Sequence, residues 1–414
     1  MKKPEILAPA GNLEKLKIAI DFGADAVYIG GSKLNLRAFA GNFTNEEIAE
    51  GVKYCHERGR KLYVTMNVFP RNFDLNGIED YIKGIESLGV DAIIVSDPGI
   101  ISTAREVAPN LEIHLSTQAN TVNWKSAKFW YDFGVKRIVL ARELTFNEIH
   151  GFRDNLPEGC ELEGFVHGSM CMAYSGRCLI SNYMLGRDSN KGTCANVCRY
   201  KYFLVEETRP DVYFPVVEDD KGTYIMNSKD LCMIKHIPEL VNSGIYSFKI
   251  EGRMKSEFYV ASVVKAYREA VDSYFEDPEN YKFKQEWMDI LLKVSHRPYH
   301  TGFFFGKTGE QNYEDSSYIR EFDIVGMVKD YDEETKIATI MQKNRVFTGD
   351  KVDVLRPYTP NFSIEMSSMY DVEKDVETNV ANRAQMIFKM KVDTPLKKND
   401  MLIKGKQTLE IGDK

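Results

Sequence analysis

Four cysteines, Cys171, Cys178, Cys194 and Cys198, fall within a short stretch of a 414-residue chain that holds seven in all. Their spacing is C-x6-C-x15-C-x3-C. Thiolates supplied from loops make a soft, electron-rich donor set of the kind that holds iron–sulfur clusters or zinc. A structural zinc site usually uses two close C-x2–4-C pairs, and only Cys194 and Cys198 meet that spacing. A cluster accepts wider and irregular spacing because its ligands come from different loops. The pattern therefore favours an iron–sulfur site, with zinc, redox thiols or inert thiols as alternatives. His167, just before Cys171, also permits a thiolate–imidazole pair of the kind a cysteine-nucleophile hydrolase needs. No acyl-transfer motif surrounds it, and three further cysteines are superfluous to such a dyad. Cys55, Cys160 and Cys232 read as small buried hydrophobes.

The residues around the thiols have their own chemistry. Arg177, Arg187, Lys191, Arg199 and Lys201 face a single acid, Asp188, with Tyr174, Tyr183, Tyr200 and Tyr202 interleaved. Cations meet phosphates and aromatic rings stack on bases, so this insert suits RNA, although a solvated loop over packed tyrosines gives the same pattern. The whole chain carries a net charge of −7, which rules out a global footprint for nucleic acid. No run approaches the roughly 20 apolar residues of a membrane span, and the lysine-bearing N-terminus lacks an apolar signal core. A cytoplasmic protein with reduced thiols is the expectation, which argues against a disulfide framework.

These residues need a scaffold, and the first 255 positions supply one. Eight β-rich runs, at 5–11, 25–31, 61–67, 91–97, 112–118, 137–143, 161–168 and 246–253, alternate with amphipathic helical stretches. Most are almost continuously apolar, as parallel strands covered on both faces are. Eight such units predict an α/β fold, a (β/α)8 TIM-like barrel, with an open doubly wound sheet as the alternative. In a barrel the active site lies at the C-terminal strand ends. There the sequence places Asn67, Asp97, Gln118, Arg142, Glu143, His167, Glu251 and Arg253, with Cys171 opening onto the same mouth. The expected domains are a barrel over 1–295 with the cysteine-rich insert at 171–202, a connector at 296–318, and a small antiparallel β-barrel at 319–414.

The run Glu163–Ser181, EGFVHGSMCMAYSGRCLIS, closely resembles the signature of the collagenase-like peptidase family U32. LAPAGN (7–12), GADAVYIGG (23–31), MNSKDL (226–231) and SFKIEGRMKS (247–256) resemble that family's other blocks. The likeness spans residues 1–275 and extends to the C-terminal β-domain. Despite the peptidase name, the resemblance implies a [4Fe–4S] cluster and oxygen-independent hydroxylation. HGSMC, SGRC and GTCANVCRY are most similar to the tRNA hydroxylation branch, which makes 5-hydroxyuridine at the anticodon wobble base with prephenate as the implied oxygen source. The resemblance places the cluster on Cys171, Cys178, Cys194 and Cys198. On this reading His167, Glu251 and Arg253 serve catalysis or hold a carboxylate-bearing donor. Asn67, Asp97, Gln118, Arg142, Arg177, Arg199, Tyr174 and Tyr200 are the expected substrate contacts, and a second family member is a possible partner. A U32-type peptidase and a non-catalytic subunit of a hydroxylation complex are the competing expectations.

Overall fold

The computed structural model describes residues 2–34, 42–171, 174, 176–199, 203–206, 209–215, 229–306 and 319–406. Strands β1 (Glu5–Pro9), β2 (Ala26–Gly30), β3 (Lys61–Met66), β4 (Ala92–Val95), β5 (Glu112–Leu115), β6 (Arg137–Val139), β7 (Glu161–Ser169) and β8 (Ser247–Ile250) form one parallel sheet. The sheet closes on itself, because β8 pairs in parallel with both β7 and β1. Helices α1 (Leu13–Asp21), α2 (Asn45–His56), α3 (Ile78–Ser87), α4 (Pro98–Val107), α5 (Trp124–Asp132) and α6 (Phe146–Asn155) follow the first six strands. The eight-stranded TIM-like barrel read from the sequence is therefore the fold.

Local chemistry starts the helices where the strands end. Asn12, Thr44, Asp97, Asn123 and Thr145 each accept a backbone N–H in the first turn, and Thr44 and Thr145 do so within full capping boxes. Each strand has two unlike faces. Ile6, Val27, Leu62, Ile93, Ile138 and Phe248 belong to the main apolar core with the helices. The opposite face holds a thin layer of Leu7, Ala26, Tyr28, Tyr63, Ala92 and Ile94. In the same alternating phase lie charges: Glu5, Arg137, Glu163 and Lys249, all buried. Arg137 reaches Glu5 at 2.6 Å and Glu163 at 3.2 Å, and Lys249 reaches Glu163 at 2.6 Å. Tyr63 and Ser247 hydroxyls donate to Glu5 at 2.8 and 2.9 Å. Burial alone pushes the Glu163 carboxyl up, but Lys249 and Arg137 together hold it below its ordinary value.

A β-bulge re-aims the end of β7. Phe165 pairs with Lys249, yet the next pair is His167 with Ile250, so Val166 is the extra residue. His167 is 1% exposed, its ring lying among Tyr259, Tyr267 and Tyr299. Tyr259 and Tyr267 sit on α9 (Glu257–Glu276), which follows two short helices, α7 (Ile180–Leu185) and α8 (Ile237–Asn242). The short strand Asp230–Cys232 pairs antiparallel with β7 and parallel with Tyr299–His300. Residues 296–306, expected as part of a connector, therefore belong to the barrel, anchored by buried His296, Arg297 and Phe304. The rest of that segment, 307–318, lies outside the described residues.

After α10 (Gln285–Lys293), residues 322–405 form an eight-stranded antiparallel sheet around their own apolar core. Its end strands, Phe362–Glu365 and Val376–Thr378, do not pair with each other among the described residues, so the ladder is open rather than a closed barrel. The sheet is fastened to the barrel. Met327, Leu355, Met401 and Ile403 join the barrel's apolar core. The buried Lys265 of α9 donates to the carbonyls of Arg356 and Thr359 at 2.8 and 2.7 Å.

Breaking the central network from one side leaves an uncompensated buried charge, so Lys249→Met is expected to lower stability by about 3–5 kcal/mol. The double variant Lys249→Met, Glu163→Leu should recover a large part of that loss in denaturant unfolding. His167 has its pKa pushed down from 6.5 to about 3 by burial, with Lys255 and His296 adding to the shift. The unfolded chain thus binds the proton that the folded chain refuses, and stability falls as pH drops below about 6.5. In His167→Phe, the slope of stability between pH 3 and 6 is expected to lessen by about 1.4 kcal/mol per pH unit.

Candidate active site

Residues 176–199 of the insert after β7 sit on the C-terminal ends of the strands. Gly176, at φ 73°, leaves no room for a side chain: a Cβ there would run into the Gln118 carbonyl and reach within 3.2 Å of the Phe69 ring. Lys191 pairs with Asp74 in the turn after β3 and lies 5.0 Å over the Phe73 ring. The insert is thereby seated on the tips of β3 and β5. Within it, Ser181 Oγ accepts from Ala195 N at 2.9 Å, Asn190 Nδ2 donates to the Cys178 carbonyl at 3.3 Å, and Arg187 Nε donates to the Thr193 carbonyl at 2.9 Å.

These bonds fasten the segments that carry three of the thiols. Cys178, Cys194 and Cys198 are half-buried, and Cys171 is exposed two residues beyond the end of β7. Asn196, at φ 57°, turns its N–H onto Cys194 Sγ at 3.3 Å. Backbone N–H groups aimed at sulfur are among the features that tune thiolate-bound clusters. Among the described residues, no group of three or more His, Cys, Asp or Glu side chains stands together as a metal ligand set. The four sulfurs share one insert without being gathered around one point. As a donor set they fit a soft centre, and the nearby acid, Asp188, is engaged in capping Asn190 N at 2.9 Å. The other cysteines differ. Burial pushes the thiols of Cys55 and Cys232 up to about 12 and that of Cys160 to about 11, which makes them inert.

Beneath the insert the strand tips converge. Arg253, just beyond β8, is buried and donates to Thr65 Oγ1 at 2.9 Å. Arg142 donates to the Ser169 carbonyl at 2.7 Å, lies 3.8 Å over the Phe165 ring, and stands 3.6 Å from the Glu251 carboxylate. Asn67 Nδ2 donates to Ser116 Oγ at 3.3 Å, while its buried Oδ1 has no hydrogen-bond partner among the described residues. Gln118 is held by its N–H to the same serine hydroxyl. Deeper in the barrel, burial pulls the Lys249 ammonium down from its ordinary pKa against the opposing pull of Glu163. Arg142 and Arg253, with Lys249 deeper in the barrel, give the mouth groups able to meet an anion, and arginine is suited to a carboxylate. Gly168, at φ 109°, allows the ends of β7 and β8 to meet, since a Cβ would lie 2.6 Å from the Glu251 carbonyl.

The sequence-derived set divides on this geometry. Arg142, Glu251, Arg253, Asn67 and Gln118 come together at the mouth. Asp97 does not join them: its carboxylate accepts Ile100 N at 3.0 Å and caps α4. His167 is carried off by the bulge into its tyrosine cage, so it makes no pair with Cys171. Tyr174 and Arg177 are exposed on the insert rim. Arg199 ends a short 3-10 turn, its side chain outside the described residues, and Tyr200 lies outside them altogether. Thr65, Ser116, Phe165, Lys249 and Glu163 are added by the structure. Their signal was the every-second-residue phase of each strand, which turns them inward.

The chain matches the model of peptidase family U32 over residues 11–314 and that of the U32 C-terminal domain over residues 320–402. It is 46% identical over 407 residues to tRNA hydroxylation protein P1 of Bacillus subtilis, covering 98% of this chain and 96% of that one. It is 36% identical over 315 residues to tRNA hydroxylation protein P2 of the same organism, covering 74% of this chain and 99% of that one. It is also 33% identical over 368 residues to a protein named collagenase from Porphyromonas gingivalis, covering 86% and 87%. With both models matched in order along one chain, the protein belongs to peptidase family U32 and carries that family's C-terminal domain.

Proposed function

We propose that this protein hydroxylates uridine at C5 in tRNA, at the anticodon wobble position, without molecular oxygen. The observation that carries the reading is the arginine-bearing strand-tip group beneath a four-thiol insert, in a chain so similar to a tRNA hydroxylation protein. Cys171, Cys178, Cys194 and Cys198 would hold a [4Fe–4S] cluster, which supplies electron transfer or polarises a substrate when bound. Arg253 and Arg142 take the carboxylates of the oxygen donor, prephenate in the family reading. Glu251 keeps Arg142 turned toward the mouth. The buried Oδ1 of Asn67 is an acceptor in search of a donor, as the N–H edge of a flipped pyrimidine provides. Arg177 and Arg199 meet phosphates, and Tyr174 and Tyr200 stack on bases.

The peptidase reading draws on the family name and on the relative named collagenase. Geometry opposes the cysteine–histidine form of it, because the imidazole that would activate Cys171 is caged and stays neutral down to about pH 3. A paired assembly has its own support, since P1 and P2 occur in one organism. If a second family member is needed, modification appears only when the two are mixed.

Anaerobically purified protein is expected to contain about four irons with matching sulfide per chain, both lost in Cys194→Ala. Stoichiometric zinc in place of iron would remove the redox mechanism. On tRNA from cells lacking the protein, nucleoside analysis is expected to find 5-hydroxyuridine restored by the wild-type chain. Arg253→Ala should lower that yield by about a hundredfold with iron content unchanged, in keeping with loss of a charged hydrogen-bonding group at a reaction centre. His167→Phe should retain the activity, and a dead His167→Phe protein with full iron would return His167 to the catalytic group.

A further inference from the structure

Helix α7 is inverted. Its serine, Ser181, is fully buried and bonded to Ala195 N, while Leu179, Tyr183, Met184 and Leu185 at and along it face solvent. Tyr183 is 92% exposed. Nothing in the local fold calls for this, since turning the helix would bury apolar surface at the expense of a single hydroxyl. Phe73 is exposed on the turn after β3, and Lys191 joins that turn to the insert by touching both Asp74 and the Phe73 ring. A rim of rings and aliphatic side chains this exposed marks a surface that meets something else.

The charges around it say what kind of partner. Arg71, Arg177 and Arg187 are exposed in these segments. The acids among them are engaged: Asp74 with Lys191 and the Arg71 N–H, and Asp188 with the Asn190 N–H. The local surplus is therefore positive on a chain whose net charge is −7. A second copy docked face to face would set arginines against arginines. Planar faces with flanking cations fit unpaired nucleotides.

We infer that the outward face of α7, together with Phe73, is a stacking platform for the unpaired nucleotides that flank the base entering the barrel mouth. The inference rests on the tRNA reading above and adds the surface that selects a loop over a duplex. Tyr183 takes a base on its ring, Leu179 and Leu185 cover the sugar edge, and Arg177 holds the intervening phosphate.

The test is fluorescence anisotropy of the cluster-loaded, full-length protein with a labelled anticodon stem-loop RNA, against a fully paired duplex of the same composition. Wild-type protein is expected to prefer the stem-loop. Tyr183→Ala with Phe73→Ala should weaken stem-loop binding by about tenfold or more, and Tyr183→Phe should restore it. Arg177→Gln should reduce the slope of log K against log salt by about 0.7. Iron content and melting temperature should be unchanged in all of them, because the substituted side chains are exposed. Unaltered affinity in the double alanine variant overturns the platform, as does a wild-type dimer, seen by light scattering, that the double variant dissociates. Platform-dependent binding without any uridine modification would sink the reaction and leave the platform standing. Modification with binding indifferent to Tyr183 would do the reverse.

Discussion

The barrel is organised around the ion pairs that run through its interior. Glu5 on β1, Arg137 on β6, Glu163 on β7 and Lys249 on β8 belong to four strands far apart in sequence, and β7, β8 and β1 are the neighbours whose pairing closes the sheet. A slip of one residue in any of these strands would turn its charge into the apolar layer beneath the helices, where no partner waits. Apolar side chains would tolerate several registers, whereas this network accepts one. Its worth is therefore specificity of closure more than net stability, because desolvating four charges offsets much of their mutual attraction. The same constraint fixes the upper end of the barrel. Lys249 and Glu163 sit just below Arg142, Glu251 and Arg253, so the register that satisfies the core also aims the mouth.

Much of this was legible from residues alone. Eight apolar runs with helical stretches between them specified the barrel, because parallel strands covered on both sides cannot look otherwise. The mouth residues Arg142, Glu251 and Arg253 followed from their places at the strand ends. What escaped depended on phase and on company. His167 looked like a tip residue because it stands near the end of β7, but one bulged residue, Val166, changes the face it presents, and no local signal announces a bulge there. Asp97 stands at a tip as well, yet an aspartate immediately before a proline that starts a helix is equally a cap, and capping prevailed. Glu163 and Lys249 were hidden inside runs that read as strand, since a single charge in an apolar stretch has no partner visible in sequence.

The insert is the counterpart of the barrel in every respect. Most of its internal bonds are short-range, α7 turns apolar side chains outward, and its thiols stand apart although three lie on segments bonded to one another. The barrel's charges are paired inside it, while the insert carries sulfur donors and an exposed apolar rim. That division suits a site in which the rigid part holds the small anionic reactant and the loosely built part receives the cofactor and the larger substrate.

The seam between the two domains has a consequence for how the family varies in length. Four apolar side chains of the C-terminal sheet complete the barrel's core, and the ammonium of Lys265 divides its bonds between Glu269 on its own helix and two carbonyls of a loop in that domain. A member that ended with the barrel would uncover the apolar wall those side chains pack on and expose Lys265 to water. Its descendants would be pressed either to repaint that wall with polar residues or to cover it with another molecule. The polarity of that wall in a shortened member should reveal which course it has taken.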